Sequence, residues 1–413
     1  VMDNFEHLHK AGSLVLELLA KAPCLKILVT SRTRLMLKGE HLFCVSDLSR
    51  PGLVLAGSEK TAVPARAKET WDAVALFLSA AHRVRPDLLL DKKNFQAVSR
   101  ICDLTGGMPL ALILAAGWMD VFPPEEIADQ IQESLDFLRT DIQDMPQRHQ
   151  SISAVFDTSW SCLAREEKEL LMTLAAFEHS FTLAAAARVA GIDSQTAARN
   201  ITNLARKSLL RADPETGRFE MHPLLRQYAG KHLSASGHKE NVLSAHTLYY
   251  LDLACENEQG LIGASMPACR RNMDADFPNI RQAWQRAVDQ KDINPLVRAA
   301  KGIYIYFDMH TLYHEGLALF EPARALVMEK ARTAPCPDMA LILLCRLDMA
   351  ANDRLTARQS SELKEMAGLC LRLAVKRKEQ SGRAFSLLLM GAVAQKEQAW
   401  DKAIRLFGLS LRA

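Results

Sequence analysis

The chain has 413 residues, of which 49% are hydrophobic, 24% charged and 6% aromatic, with a formal net charge of +3. Such a length holds about two to four domains. The near-balanced charge excludes a chain drawn to nucleic acid or anionic membrane by bulk electrostatics. An Ala- and Leu-rich, aromatic-poor composition favours helices, because straight-chain side chains and Ala lose little freedom there. Nine cysteines without a Cys-x-x-Cys pair point to reduced thiols and a cytoplasmic setting. No apolar run is long enough to span a bilayer, and no signal peptide is visible at the start.

Residues 1–48 read as a strand–helix–strand piece of a parallel sheet. Val1-Met2 ends at Asp3, and a helix follows with Leu14, Leu18 and Leu19 on one face. Leu25–Thr30 reads as a buried strand between Pro23 and Ser31, and His41–Val45 as another. Pro51, Gly52, Gly57 and Pro64 make 49–69 a loop. Helices are then expected over 71–84, 91–104, 109–120 and 124–139, separated by Pro86, Gly106-Gly107 and Pro123-Pro124. Met145-Pro146 marks a boundary.

A third block follows, with helices near 151–162, 164–176, 182–190 and 194–207. Thr182 and Ser194 suit helix N-caps and Gly191 a helix stop. Ala164 stands where a capping Ser is expected, so that start is weaker. Leu209–Ala212 and Arg218–Met221 flank Asp213-Pro214-Glu215-Thr216-Gly217, which is hairpin chemistry. Helices followed by a hairpin make a winged helix, and Pro223 opens one more helix at its first turn. From about 240 onward all segments read as paired helices. Leu387, Met390-Gly391, Ala394, Ala403 and Phe407 match the tetratricopeptide spacing, and Glu315–Phe320 suggests a diverged unit of the same kind.

Four places could carry chemistry. Asp3, at the end of an apolar strand, could hold Mg²⁺ beside a phosphate; an Asp there is also a common turn residue. Arg32 ends the neighbouring strand, where a guanidinium could meet a terminal phosphate; a surface Arg is the alternative. Gly106-Gly107-Met108-Pro109 allows close backbone approach and starts a helix without wasting a donor, or is a plain helix–turn–helix link. His222 ends the wing and could reach a diphosphate, or could be a structural histidine.

In this order and at these intervals, Asp3, Arg32, Gly107-Met108-Pro109 and His222 resemble the NB-ARC-like STAND signalling NTPases, in particular bacterial regulators with helical repeats. The stretches Asp72–Phe77, Pro146–Ser151 and Asn279–Trp284 add to the likeness. The resemblance implies a mainly α chain: a truncated α/β P-loop NTPase remnant (1–48), a helical lid-like domain (68–145), a winged helix (150–236), and tetratricopeptide-like repeats (240–413) incomplete at the C-terminus. It implies Asp3 as the Walker B aspartate and Mg²⁺ ligand, Arg32 as the sensor arginine, and Pro109, with Gly107, as the adenine contact. It implies His222 as the histidine that meets the β-phosphate of ADP. Asn4 stands where relatives carry a second acid, so at most slow ATP hydrolysis is expected. Pro223 replaces the Asp of the Met-His-Asp motif. The Gly-rich Walker A segment is absent from the sequence, so this stretch alone is expected to bind little or no ATP or ADP and to hydrolyse none.

The function so implied is an ATP/ADP-dependent switch in signal transduction or transcriptional regulation. A protein or small-molecule inducer would act on the repeats, with self-association on activation and no membrane contact. Arg199, Arg206, Lys207 and Arg211 could suit a DNA groove, but the resembled family uses its wing as an intramolecular clasp. DNA contact is therefore expected only through a domain outside this chain. The alternatives are a repeat scaffold with a degenerate NTPase, and a transcription regulator whose DNA-binding domain lies elsewhere.

Overall fold

The computed structural model describes residues 1–3, 5, 12–22, 24–31, 33–43, 45–51, 71–140, 150–262, 265–330, 342 and 357–413. They are mainly helical, with one two-stranded antiparallel sheet among them. They fall into two compact units: Val1–Ala176 with Phe181–Lys239, and Phe177–Ser180 with Glu240–Ala413. No described helix is long and apolar enough to cross a membrane.

The first unit opens with one parallel bridge, Met2 to Val29, on either side of helix α1 (Gly12–Lys21). Met2 N–H donates to Leu28 O at 2.8 Å and Thr30 N–H to Met2 O at 2.9 Å. This is less than the buried strand expected over 25–30: Leu28 is 64% exposed. The expected strand at 41–45 does not form among its described residues, and Phe43 and Val45 are about nine-tenths exposed (91% and 88%). An apolar run becomes a buried strand only when both its faces are covered, and the described residues supply no such cover here.

Four helices follow: α2 (Asp72–Val84), α3 (Lys92–Leu104), α4 (Pro109–Gly117) and α5 (Pro124–Glu133). Helix α2 packs against α4, and α3 against α5. Asp91 caps α3 by accepting from Asn94 N–H. Pro109 and Pro124 open their helices at the first turn, where no N–H is needed. Short 3-10 turns at Trp118–Asp120 and Leu135–Phe137 end the stretches expected to be longer α-helices. The boundary expected at Met145-Pro146 lies outside the described residues.

The winged helix comprises α6 (Ile152–Ser161), α7 (Arg165–Leu174), α8 (Leu183–Ala190), α9 (Ser194–Arg206), the hairpin β1 (Arg211–Asp213) to β2 (Arg218–Glu220), and α10 (Pro223–Ala235). Phe181 adds a third extended segment, exchanging two backbone bonds with Phe219 at 2.9 Å each. Thr182 caps α8 and Gly191, at φ 65°, stops it, as expected. The cap of α9 is Asp193 rather than Ser194: its carboxylate accepts from Gln195 and Thr196 N–H. Ala164 offers no side-chain acceptor, yet Glu167 turns back to its N–H at 2.9 Å, which supplies half of a capping box.

The second unit stacks α11 (Lys239–Glu256), α12 (Glu258–Ile262), α13 (Met266–Asp289), α14 (Ile293–Met309), α15 (Tyr313–Lys330), α16 (Ala357–Arg377), α17 (Gln380–Lys396) and α18 (Trp400–Ser410). Small residues let helices touch: a Cβ on Gly391 would lie 2.5 Å from the Phe407 ring, and one on Gly302 would overlap Ala254 O. Fully buried Trp284 donates its indole N–H to Leu319 O at 3.0 Å and packs on Phe320.

At the head of this unit, buried Asn279 holds the segment 177–180. Its Oδ1 accepts from Glu178 N–H at 2.8 Å and its Nδ2 donates to Ser180 O at 3.1 Å. His246, fully buried beside it, contacts Arg286 at 3.1 Å. Burial, then the Arg286 charge, pushes the His246 pKa down to about 3. Asn279→Ala removes both bonds to this segment, so it should destabilise this unit by about 1–3 kcal/mol, read by urea unfolding; a change under about 0.5 kcal/mol would contradict the clamp. For His246 the folded pKa lies below the unfolded one, so between about 6.5 and 3 the unfolded chain binds the extra proton. Stability of this unit should therefore be complete above pH 6.5 and fall as the pH drops towards 3. His246→Gln should remove that part of the slope in thermal melts.

Candidate functional site

The site grows from the way α3 ends. Gly106 and Gly107 both take left-handed backbone, at φ 63° and 77°. Gly106 N–H donates to Asp103 O at 3.1 Å and Gly107 N–H to Cys102 O at 3.0 Å. Those are the paired closures of a Schellman motif, which left-handed glycine makes cheap. Pro109 then starts α4 at once, with Met108 as an N-cap that gives no side-chain bond.

Two neighbours use the missing side chains. A Cβ on Gly107 would lie 2.5 Å from Leu48 O, and one on Gly106 would overlap His222 Nε2. Leu48 N–H also donates to Gly107 O at 3.2 Å. The next residue, Ser49, accepts from Asp72 N–H at 2.9 Å through its Oγ and from Ala73 N–H at 3.0 Å through its carbonyl. Segment 48–49 thus ties the turn to the first N–H groups of α2, which otherwise have no intrahelical partner.

His222 is the N-cap of α10, and its Nδ1 accepts from Leu224 N–H at 3.2 Å. In the neutral ring the proton therefore sits on Nε2. That Nε2 is buried and has no hydrogen-bond partner among the described residues. Burial lowers the His222 pKa, Arg50 adds to the effect, and Asp47 and Glu220 oppose it. Arg50 is half-buried and donates from Nη1 to Asp103 O at 3.3 Å. Burial raises the Asp103 pKa against the pull of Arg50.

The structure therefore brings Gly106, Gly107 and His222 together, with Pro109 two residues along. Asp3 belongs to the parallel pair, exposed, and takes a hydrogen bond from the Thr30 hydroxyl. Arg32 and Asn4 lie outside the described residues. No three His, Cys, Asp or Glu side chains among the described residues gather as a metal site, so Asp3 would offer Mg²⁺ a single carboxylate. Sequence reasoning missed Asp47, Leu48 and Arg50. They flank or enter a stretch read as loop, and the contacts of Leu48 are backbone ones that no side-chain pattern encodes.

A second surface lies on α9. Ala197, Ile201 and Leu204 face the core, leaving Gln195, Arg199, Thr202 and Arg206 exposed along one side. Its last turn shares a cleft of about 350 Å³ with Thr33, Arg34 and Met36, where Lys207 pairs with Glu167 at 2.5 Å.

Comparison with known proteins identifies the middle of the chain. Residues 163–234 match the winged helix-turn-helix domain family. Over 333 residues the chain is 30% identical to the "Putative HTH-type transcriptional regulator Rv0890c" of Mycobacterium tuberculosis (strain ATCC 25618 / H37Rv), covering 78% of this chain and 35% of that protein. It is also 30% identical over 254 residues to "Uncharacterized protein Rv0894" of the same strain, covering 60% of each. The chain thus spans about a third of the length of the first relative. Among solved structures it is similar to a STAND protein with a tetratricopeptide repeat sensor from Pyrococcus horikoshii, with 14% identity, 82% of this chain and 53% of that chain covered, and a TM-score of 0.26. Fold and family match agree at one place: residues 163–234 are a winged helix-turn-helix domain.

Proposed function

We propose that this chain is the switch region of a nucleotide-controlled regulator of the STAND type. The single observation that carries the reading is the buried, unpartnered Nε2–H of His222 against the Gly106–Gly107 turn. A buried donor without an acceptor costs about 1–3 kcal/mol, and a diphosphate oxygen is the acceptor that would repay it. Bound ADP would supply that anion. His222 would hold a phosphate oxygen, Gly107 and Pro109 would border the adenine side, and Asp3 would offer an oxygen to Mg²⁺.

The switch follows from differential affinity. With ADP bound, the winged helix, which owns His222, is held to the turn; an inducer on the repeats and exchange to ATP favour release. Hydrolysis is at most slow, and self-association belongs to the released state. Transcriptional control is the output suggested by the name of the first relative.

A second reading rests on the exposed stripe Gln195, Arg199, Thr202 and Arg206 of α9, whose spacing suits a DNA major groove. The clasp reading is preferred because the last turn of the same helix already faces Thr33–Met36 across the cleft.

The test is nucleotide content. The natural full-length protein, purified and denatured, should release adenine diphosphate near one per chain, and His222→Ala should lose most of it. Protein that carries no adenine nucleotide, and takes up none on incubation, would sink the switch. In parallel, a random-sequence DNA duplex should not bind this 413-residue chain at physiological salt. Binding that falls when Arg199 and Arg206 become Ala would instead favour the DNA reading.

A further inference from the structure

Arg50 is a half-buried cation that the sequence pattern did not single out. Its Nη1 donates to Asp103 O at 3.3 Å, and no carboxylate lies within ion-pair distance of it among the described residues. A guanidinium has five N–H donors in a fixed fork, and among the described residues Asp103 O takes only one of them. The oxygen it grips, Asp103 O, is the one that accepts Gly106 N–H, and Leu48, two residues earlier, is bonded to Gly107 O. His222 Nε2 packs on the same Gly106 and also lacks a partner. Arg50 and His222 sense one another electrostatically, since the guanidinium helps to lower the histidine's pKa.

Two donors with unspent capacity, one of them cationic, therefore meet at a single turn. Among the described residues, three carboxyl groups stand in this neighbourhood: Asp47 and Glu220 act on His222, and burial raises the Asp103 pKa, which weakens it as a partner for Arg50. The chemistry that satisfies both donors is a tetrahedral oxyanion, which Arg takes in a bidentate grip and His in a single bond. We propose that Arg50 is a phosphate-binding residue of this site, acting with His222 to select a nucleoside diphosphate over the bare nucleoside. This rests on the nucleotide reading above and adds the group that counts phosphates.

The experiment is calorimetric titration of the natural full-length protein with ADP and with adenosine, for the wild type, Arg50→Gln and Arg50→Lys, with thermal melts on each. Arg50→Gln should weaken ADP by about 10- to 100-fold, the worth of a charged hydrogen bond, and leave adenosine within about twofold. Arg50→Lys should recover part of the ADP affinity, which a merely structural role would not require. Wild type that binds ADP, with Arg50→Gln binding it equally, overturns this inference and leaves the nucleotide reading standing. Parallel loss of ADP and adenosine with a lowered melting temperature assigns Arg50 to structure and also overturns it. Wild type that binds neither ligand removes both proposals.

Discussion

The first unit depends on two successive positions that cannot carry a side chain. At Gly106 and Gly107 the backbone is left-handed, and the space a Cβ would fill is already taken by His222 and by Leu48 O. Either demand alone would favour glycine; together they leave no alternative. Because the same turn ends α3 and starts α4, whatever leans on it is fixed relative to both helices. Leu48 leans on it through one backbone bond, Ser49 carries the link to α2, and His222 brings in the first turn of α10.

That arrangement decides the state of His222. Nδ1 is committed to Leu224 N–H, so the remaining proton points into the packed side of the ring. Burial opposes a second proton and prevails; Asp47 and Glu220 favour one, and Arg50 sides with burial. Under the proposed switch, a neutral imidazole whose buried donor finds no acceptor among the described residues is the group that an oxyanion would stabilise. The second unit keeps its own buried histidine for a different purpose. His246 is neutral for the same reason of burial, but its ring is engaged with Arg286 and near Asn279, so it serves packing.

Much of the helical order was legible because its punctuation is local. Pro109, Pro124 and Pro223 open helices, and Gly191 closes one, where fixed φ or left-handed backbone leaves little choice. Asp193 and Ser194 illustrate the limit. Both are good caps, and only the path of the chain assigns the role to Asp193. The strand pattern fails for a non-local reason: Leu28, Phe43 and Val45 have strand-like composition, but burial needs neighbours that the described residues do not provide. The pairing of His222 with the glycine turn joins residues over a hundred positions apart, so no local pattern encodes it; the resemblance implies only that each meets the same nucleotide. Arg50 had no signal at all, since a lone Arg beside Pro51 looks like any loop cation until Asp103 O and Gly106 are seen beside it.

Nucleotide control through this turn depends on the proton of His222. Two-bond ¹H–¹⁵N spectra of the full-length protein labelled at histidine report it directly, with His222→Gln identifying the resonance. The predicted result is a neutral ring carrying its proton on Nε2, with its pKa lowered from the ordinary histidine value by burial, whose Nε2 signal moves when ADP is added. A ring protonated at Nδ1, or one that titrates freely near 6.5 and ignores ADP, would contradict it.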